Sequence, residues 1–119
     1  MRFQDLLAYK KSFELVMSIF EIAKSFPSEE KYSLTDQIRR SSRSVSANIA
    51  EATRKRRYLN HFISKLTDSD AENTETQVWL EYALACNYIN TETFDNFTSK
   101  SLEVGRLLNY MMNNPEKFN

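Results

Sequence analysis

Glycine occurs once and proline twice in this 119-residue chain, and neither lies between Pro27 and Gly105. A stretch so poor in turn-forming residues disfavours many short strands and favours a few long helices. The breaks that exist are few: "SFPSEEKYS" around Pro27, "TRKRRY", "NYINTET" and the closing Pro115.

Between those breaks the apolar residues recur at steps of three and four, the spacing of one helix face. Segment one, about Asp5 to Phe26, carries Leu6, Tyr9, Phe13, Val16, Phe20 and Ala23. The second, about 34–54, opens on "SLTD", with Ser33 as N-cap and Asp36 near the positive helix end. Leu34, Ile38, Val45, Ile49 and Ala52 follow on one face. Helices three and four are expected over about 58–89 and 92–113. Four amphipathic helices on short connections predict an all-α fold, an up-down-up-down antiparallel four-helix bundle, with residues 1–119 as a single domain. An apolar content of 41% is ample for one core at this length.

The third segment carries two stripes. Leu59, Phe62, Ile63, Leu66, Leu80 and Leu84 form one, interrupted by Asp70, Asn73 and Gln77. Val78, Trp79, Tyr82, Cys86 and Ile89 form a second, well over 90° away at 100° per residue. A helix apolar on two faces implies either self-association through that patch or a wide core face covered by the turn into helix four.

Net charge is zero, so any preference for anions must be local. Such asymmetry is present. "RRSSRSVSANIAEATRKRR", Arg39 to Arg57, holds seven basic residues and one acid, whereas Asp68 to Glu81 holds five acids and no base. On a helical wheel Leu34, Ile38, Ser41, Ser42, Val45, Ile49 and Ala52 fall on the core side; Arg39, Arg40, Arg43 and Arg54 fall opposite, with Ala47 and Ala50 between them. If helices two and three form a hairpin, Arg39, Arg40 and Arg43 lie level with Asp68, Asp70 and Glu72 and are partly neutralised. Arg54, Lys55, Arg56 and Arg57 have no acid at their level, which makes them the best candidates for phosphate contact. Asn48 and Glu51 lie on the flank, available to a local or interhelix hydrogen bond or to another subunit.

Little in the chain promises chemistry. His61 is the only histidine and the residue three before it is Tyr58, so the Glu-x-x-His pair of a di-iron bundle is missing. Cys86, the only cysteine, excludes an intrachain disulfide and reads as a small buried hydrophobe. On one continuous helix it stands ~37 Å from His61 at 1.5 Å per residue. "SEEK", Ser28 to Lys31, lacks the companion motifs of a Ser-x-x-Lys nucleophile, and there is no glycine-rich phosphate loop. No enzymatic activity, metal or cofactor is expected. The N-terminus lacks the apolar core of a signal peptide, and no run approaches the roughly 20 apolar residues of a membrane span, so a soluble, cytoplasmic protein is expected.

"FQDLLAYKKSFEL", "FPSEEKYSLTDQIRRSSRSVSANIAEA" and "FISKLTDSDAENTETQVWLEYALACNYI" together resemble the four-helix-bundle family named for proteins encoded in intervening sequences of bacterial 23S ribosomal RNA genes. The most specific match joins Leu34, Thr35, Gln37, Ile38, Arg39 and Arg40 to Asn48, Ile49, Ala50 and Glu51. The family usually places glycine after that Asn-Ile-Ala-Glu; here Ala52 stands instead, so the helix is expected to continue toward Arg54. The resemblance implies a left-handed bundle assembled as a ring-like homopentamer, of largely unassigned role. It extends more weakly to the accessory variability determinant protein of diversity-generating retroelements, which implies a reverse transcriptase and nucleic acid as partners. The expected function is a non-enzymatic homo-oligomer that binds RNA or DNA through its basic surface. The alternative is a protein-interaction scaffold that does not.

Overall fold

The computed structural model describes residues 1–119. Four helices account for most of it: α1 (Leu7–Ala23), α2 (Leu34–Arg54), α3 (Leu59–Ala85) and α4 (Thr91–Asn113). Each packs on the two beside it, α1 on α2 and α4, α3 on α2 and α4, with the α2/α3 seam the most extensive. The result is a four-helix bundle 44 Å long and 25 by 19 Å across.

Apolar residues at steps of three and four account for the helices, and local backbone chemistry accounts for their ends. α1 is shorter than the expected 5–26. Leu6 is extended, buried at 6% exposure, and follows a 3-10 turn over Phe3–Asp5. At the other end Pro27 disfavours helical backbone at Phe26, whose ring turns into the core. α2 matches its expected span, including the continuation past Ala52. Ser33 occupies the N-cap position without capping: its hydroxyl donates to Glu30, and the same carboxylate oxygen accepts from the Leu34 N–H at 3.3 Å. The other Glu30 oxygen accepts from the Tyr88 hydroxyl at 2.8 Å, tying the start of α2 to the α3/α4 connection.

α3 stops at Ala85 rather than running to Ile89. Asn87 sits in the left-handed region at φ 62°, with its N–H bonded to the Leu84 carbonyl and the Tyr88 N–H to the Ala83 carbonyl. That pair of bonds is a Schellman C-cap, with asparagine in place of the usual glycine. The reversal carries Ile89 into the core at 7% exposure. Asn90 then caps α4 by accepting from the Thr93 N–H at 2.8 Å.

The core has two apolar halves. Leu6, Val45, Ile49, Phe62, Leu66, Val104, Leu108 and Met111 fill the end nearest the α2/α3 turn; Leu15, Ile19, Phe26, Leu34, Ile38, Leu80, Ile89 and Phe97 fill the other. A polar waist lies between them. The Asn73 amide donates to the Ser101 carbonyl and its oxygen accepts from the Ser101 hydroxyl, both at 2.9 Å, while Gln77 donates to that hydroxyl at 3.0 Å. The Ser41 and Thr76 hydroxyls pair at 2.8 Å, and Ser69 donates to the Val45 carbonyl at 2.8 Å. The interruptions of the α3 stripe at Asn73 and Gln77 are therefore satisfied interior groups.

Candidate nucleic-acid interface

The buried stripe of α2, Leu34, Ile38, Ser41, Ser42, Val45, Ile49 and Ala52, fixes which side chains face outward. Arg40 crosses to α3 and pairs with Glu72 at 3.0 Å and with Glu75. The register corrects the expectation: the acids met are Glu72 and Glu75, not Asp68 and Asp70, and only Arg40 meets them. Arg39 and Arg43 turn instead toward α1, with guanidinium carbons 4.7 Å and 5.8 Å from the Phe20 ring centroid. Lys24 approaches the same ring at 4.9 Å. Arg39 also donates to the Phe20 carbonyl at 3.2 Å, while its buried Nε has no partner. A cation over an aromatic face gains roughly 0.5–1 kcal/mol at exposed sites without losing its charge, so Arg39 and Arg43 stay positive and unneutralised.

The basic cluster at the end of α2 divides in two. Arg56 is half-buried and donates to the Thr53 carbonyl at 3.1 Å and the Met1 carbonyl at 3.4 Å, placing a cation at the negative end of α2. Arg54, Lys55 and Arg57 are exposed and none has a carboxylate within 4.0 Å. With Thr53, Arg56 and Tyr58, Arg54 and Arg57 border an open cleft of about 340 Å³.

Two tyrosines escaped the periodicity because both sit in connections, outside any stripe. Tyr58 at 59% exposure stands beside the Arg54–Arg57 cluster, and Tyr32 at 83% lies just before α2. Tyr32 shares an open groove of about 640 Å³ with Lys31, Arg39 and Arg43. Their one legible signal was adjacency to basic residues, Lys31–Tyr32 and Arg57–Tyr58.

The second stripe of α3 is only partly outward. Val78 and Tyr82 are 39% and 56% exposed, and Cys86 is exposed rather than buried. Trp79 is half-buried, packs against the core and donates to Glu75 at 3.3 Å. Ile89 must be struck from the face, because the turn at Asn87 puts it inside. Tyr82, Trp79 and Cys86 line a second groove of about 640 Å³ with Tyr32, Leu34 and Gln37. On the other flank Lys65 pairs with Glu51 at 2.8 Å and donates to the side-chain Oδ1 of Asn48 at 3.4 Å, so both residues have partners within the chain. The hydrogen bond that Lys65 donates to Glu51 raises the Lys65 pKa.

His61 is exposed and edge-on to Tyr58, at the far end of α3 from Cys86. No helix is long and apolar enough to cross a membrane. What the surface offers is unpaired positive charge beside aromatic rings.

No curated protein matches the chain. A solved structure of a protein of unknown function from the S23 ribosomal protein family of Bacteroides thetaiotaomicron is similar, with 31% identity and a TM-score of 0.82. The similarity covers 90% of this chain and 96% of that one. The family model described as 23S rRNA-intervening sequence protein matches residues 4–110. On a match that covers α1, α2, α3, their connections and α4 as far as residue 110, the chain belongs to the 23S rRNA-intervening sequence protein family.

Proposed function

We propose that this protein is a non-enzymatic, self-associating bundle that binds RNA or another nucleic acid electrostatically. The observation that carries this reading is the set Arg54, Lys55 and Arg57, exposed and free of carboxylate partners on a chain of zero net charge. Unpaired cations displace counterions from a phosphate backbone, whereas a neutralised arginine such as Arg40 contributes little. Arg39 and Arg43, unneutralised on the same helix, extend the basic surface. The family name ties its genes to ribosomal RNA, a context in which RNA is at hand.

Self-association through Val78, Tyr82 and Cys86, with Trp79 behind them, would repeat the cluster around a ring, a pentamer by family resemblance. Repetition turns weak contacts into avidity. Glutamine at Arg54, Lys55, Arg56 and Arg57 is expected to abolish retention of RNA at moderate salt while the helical circular dichroism persists. Equal retention by that variant rejects the reading. The Arg40 pairing with Glu72 and Glu75 favours a second reading, a protein-interaction scaffold, which predicts no retention by the wild type either.

A further inference from the structure

The outward face of α2 is bounded at both ends by an exposed tyrosine. Tyr32 is 83% exposed and borders the groove holding Lys31, Arg39 and Arg43; Tyr58 is 59% exposed and borders the cleft holding Arg54 and Arg57. Between Arg43 and Arg54 that face presents Ala47 and Ala50, while Glu51 turns aside to Lys65. Asp36 is the one carboxylate bordering either cleft. The face is therefore a cationic strip with a low, small-residue middle, as long as the 21 residues of α2, or ~31 Å at 1.5 Å per residue.

We infer that this strip is a track for single-stranded nucleic acid, with phosphates on Lys31, Arg39, Arg43 and Arg54 and a base stacked on each tyrosine. Positive charge alone serves a duplex as well as a strand. The tyrosines decide between them, because a duplex keeps its base faces stacked inside and would leave both rings in water, whereas an open strand covers them. Lys31 stands 5.3 Å from the Tyr32 centroid, so a base on that ring brings its own phosphate beside a cation. At the 3.4 Å charge spacing of one stacked strand, the track accommodates on the order of nine nucleotides. Stacking and phosphate contact do not read the 2′-hydroxyl, so RNA and DNA strands are expected to bind alike.

This inference rests on the proposed nucleic-acid reading and deepens it. Its test measures binding of oligouridylate, oligothymidylate and an RNA duplex, each about ten nucleotides long, to the full chain and to its Tyr32→Ala, Tyr58→Ala double variant. Both rings are solvent-exposed, so the variant keeps the fold. Loss of at least about tenfold for both single strands, with duplex affinity held within about twofold, is the expected result. Tyr32→Phe with Tyr58→Phe restores strand binding, since the ring stacks without its hydroxyl. Wild-type affinity in the alanine variant, equal loss for strand and duplex, or binding confined to one sugar overturns the track. Those outcomes leave electrostatic binding standing. If the wild type binds neither form, or if the four-glutamine variant binds undiminished, the broader reading falls and the track with it.

Discussion

Asn73 is 2% exposed, on the buried face of α3 between Leu66 and Leu80, and survives there because Ser101 both accepts from its amide and donates to its oxygen. Burial without such bonds costs a polar group several kcal/mol. Asn73→Ala removes the acceptor of the Ser101 hydroxyl and a donor to the Ser101 carbonyl, leaving that hydroxyl only the bond from Gln77, and a loss of about 1–3 kcal/mol is expected in chemical denaturation. Gly105 lies across the same waist but is not required by it. A Cβ there would sit 3.5 Å from the Asn73 amide nitrogen, an ordinary contact, and its φ is not positive. Gly105→Ala is therefore expected to stabilise the protein by about 0.5–1 kcal/mol through helix propensity; destabilisation would mean the waist is tighter than this spacing indicates. From sequence, Asn73 and Gln77 read only as gaps in a stripe, because their partner stands on another helix and periodicity along one segment cannot see across to it.

At the scale of the element, legibility followed whether a helix end was written in its own residues. α2 was readable at both ends: an apolar face begins at Leu34, and no breaker follows Ala52 until the basic turn. Apolar spacing carries α3 past its true end because Asn87 adopts the left-handed conformation that glycine more often marks, and past that point a wheel of 100° per residue no longer applies. Position alone points to Ser33 as the cap of α2, while the structure uses Glu30, four residues before the Leu34 N–H it accepts from. Hydrogen bonds from Ser33 and then from Tyr88 lower the Glu30 pKa below its ordinary 4.5. The Tyr88 pKa is raised to about 12, chiefly by the same bond to Glu30. A depressed carboxylate pKa contributes stability that is present above the unfolded value and lost as pH falls through the folded one. The melting temperature is therefore expected to drop below pH 4.5, and Glu30→Gln flattens that part of the profile. An unchanged acid limb in the variant would assign the sensitivity to other carboxylates. The raised Tyr88 pKa has the opposite sign: its contribution is whole below pH 10 and is lost as pH rises toward 12.

For the whole molecule, bundle architecture and family were both legible in the chain, because apolar period and signature residues are properties of the sequence. Which cations stay free was not. Neutralisation depends on the register between α2 and α3, and the structure satisfies Arg40 while leaving Arg39 and Arg43 on Phe20. Tertiary packing likewise reshapes the face proposed for self-association. Trp79 packs against the core, so a charge there would damage the fold; Val78 and Tyr82 are the side chains open to a partner. Val78→Glu with Tyr82→Glu is expected to reduce the particle mass in light scattering without loss of helicity, and an unchanged mass would place the interface elsewhere.

Electrostatic binding through the end of α2 is tested most directly by the salt dependence of affinity for a single-stranded RNA. The slope of log K against log salt falls by about 0.7 for each phosphate-contacting cation removed from a single strand. Replacing Arg54, Lys55, Arg56 and Arg57 by glutamine is therefore expected to flatten the wild-type slope by up to about 3. Parallel slopes for the two proteins, or a wild type whose affinity ignores salt, would contradict it.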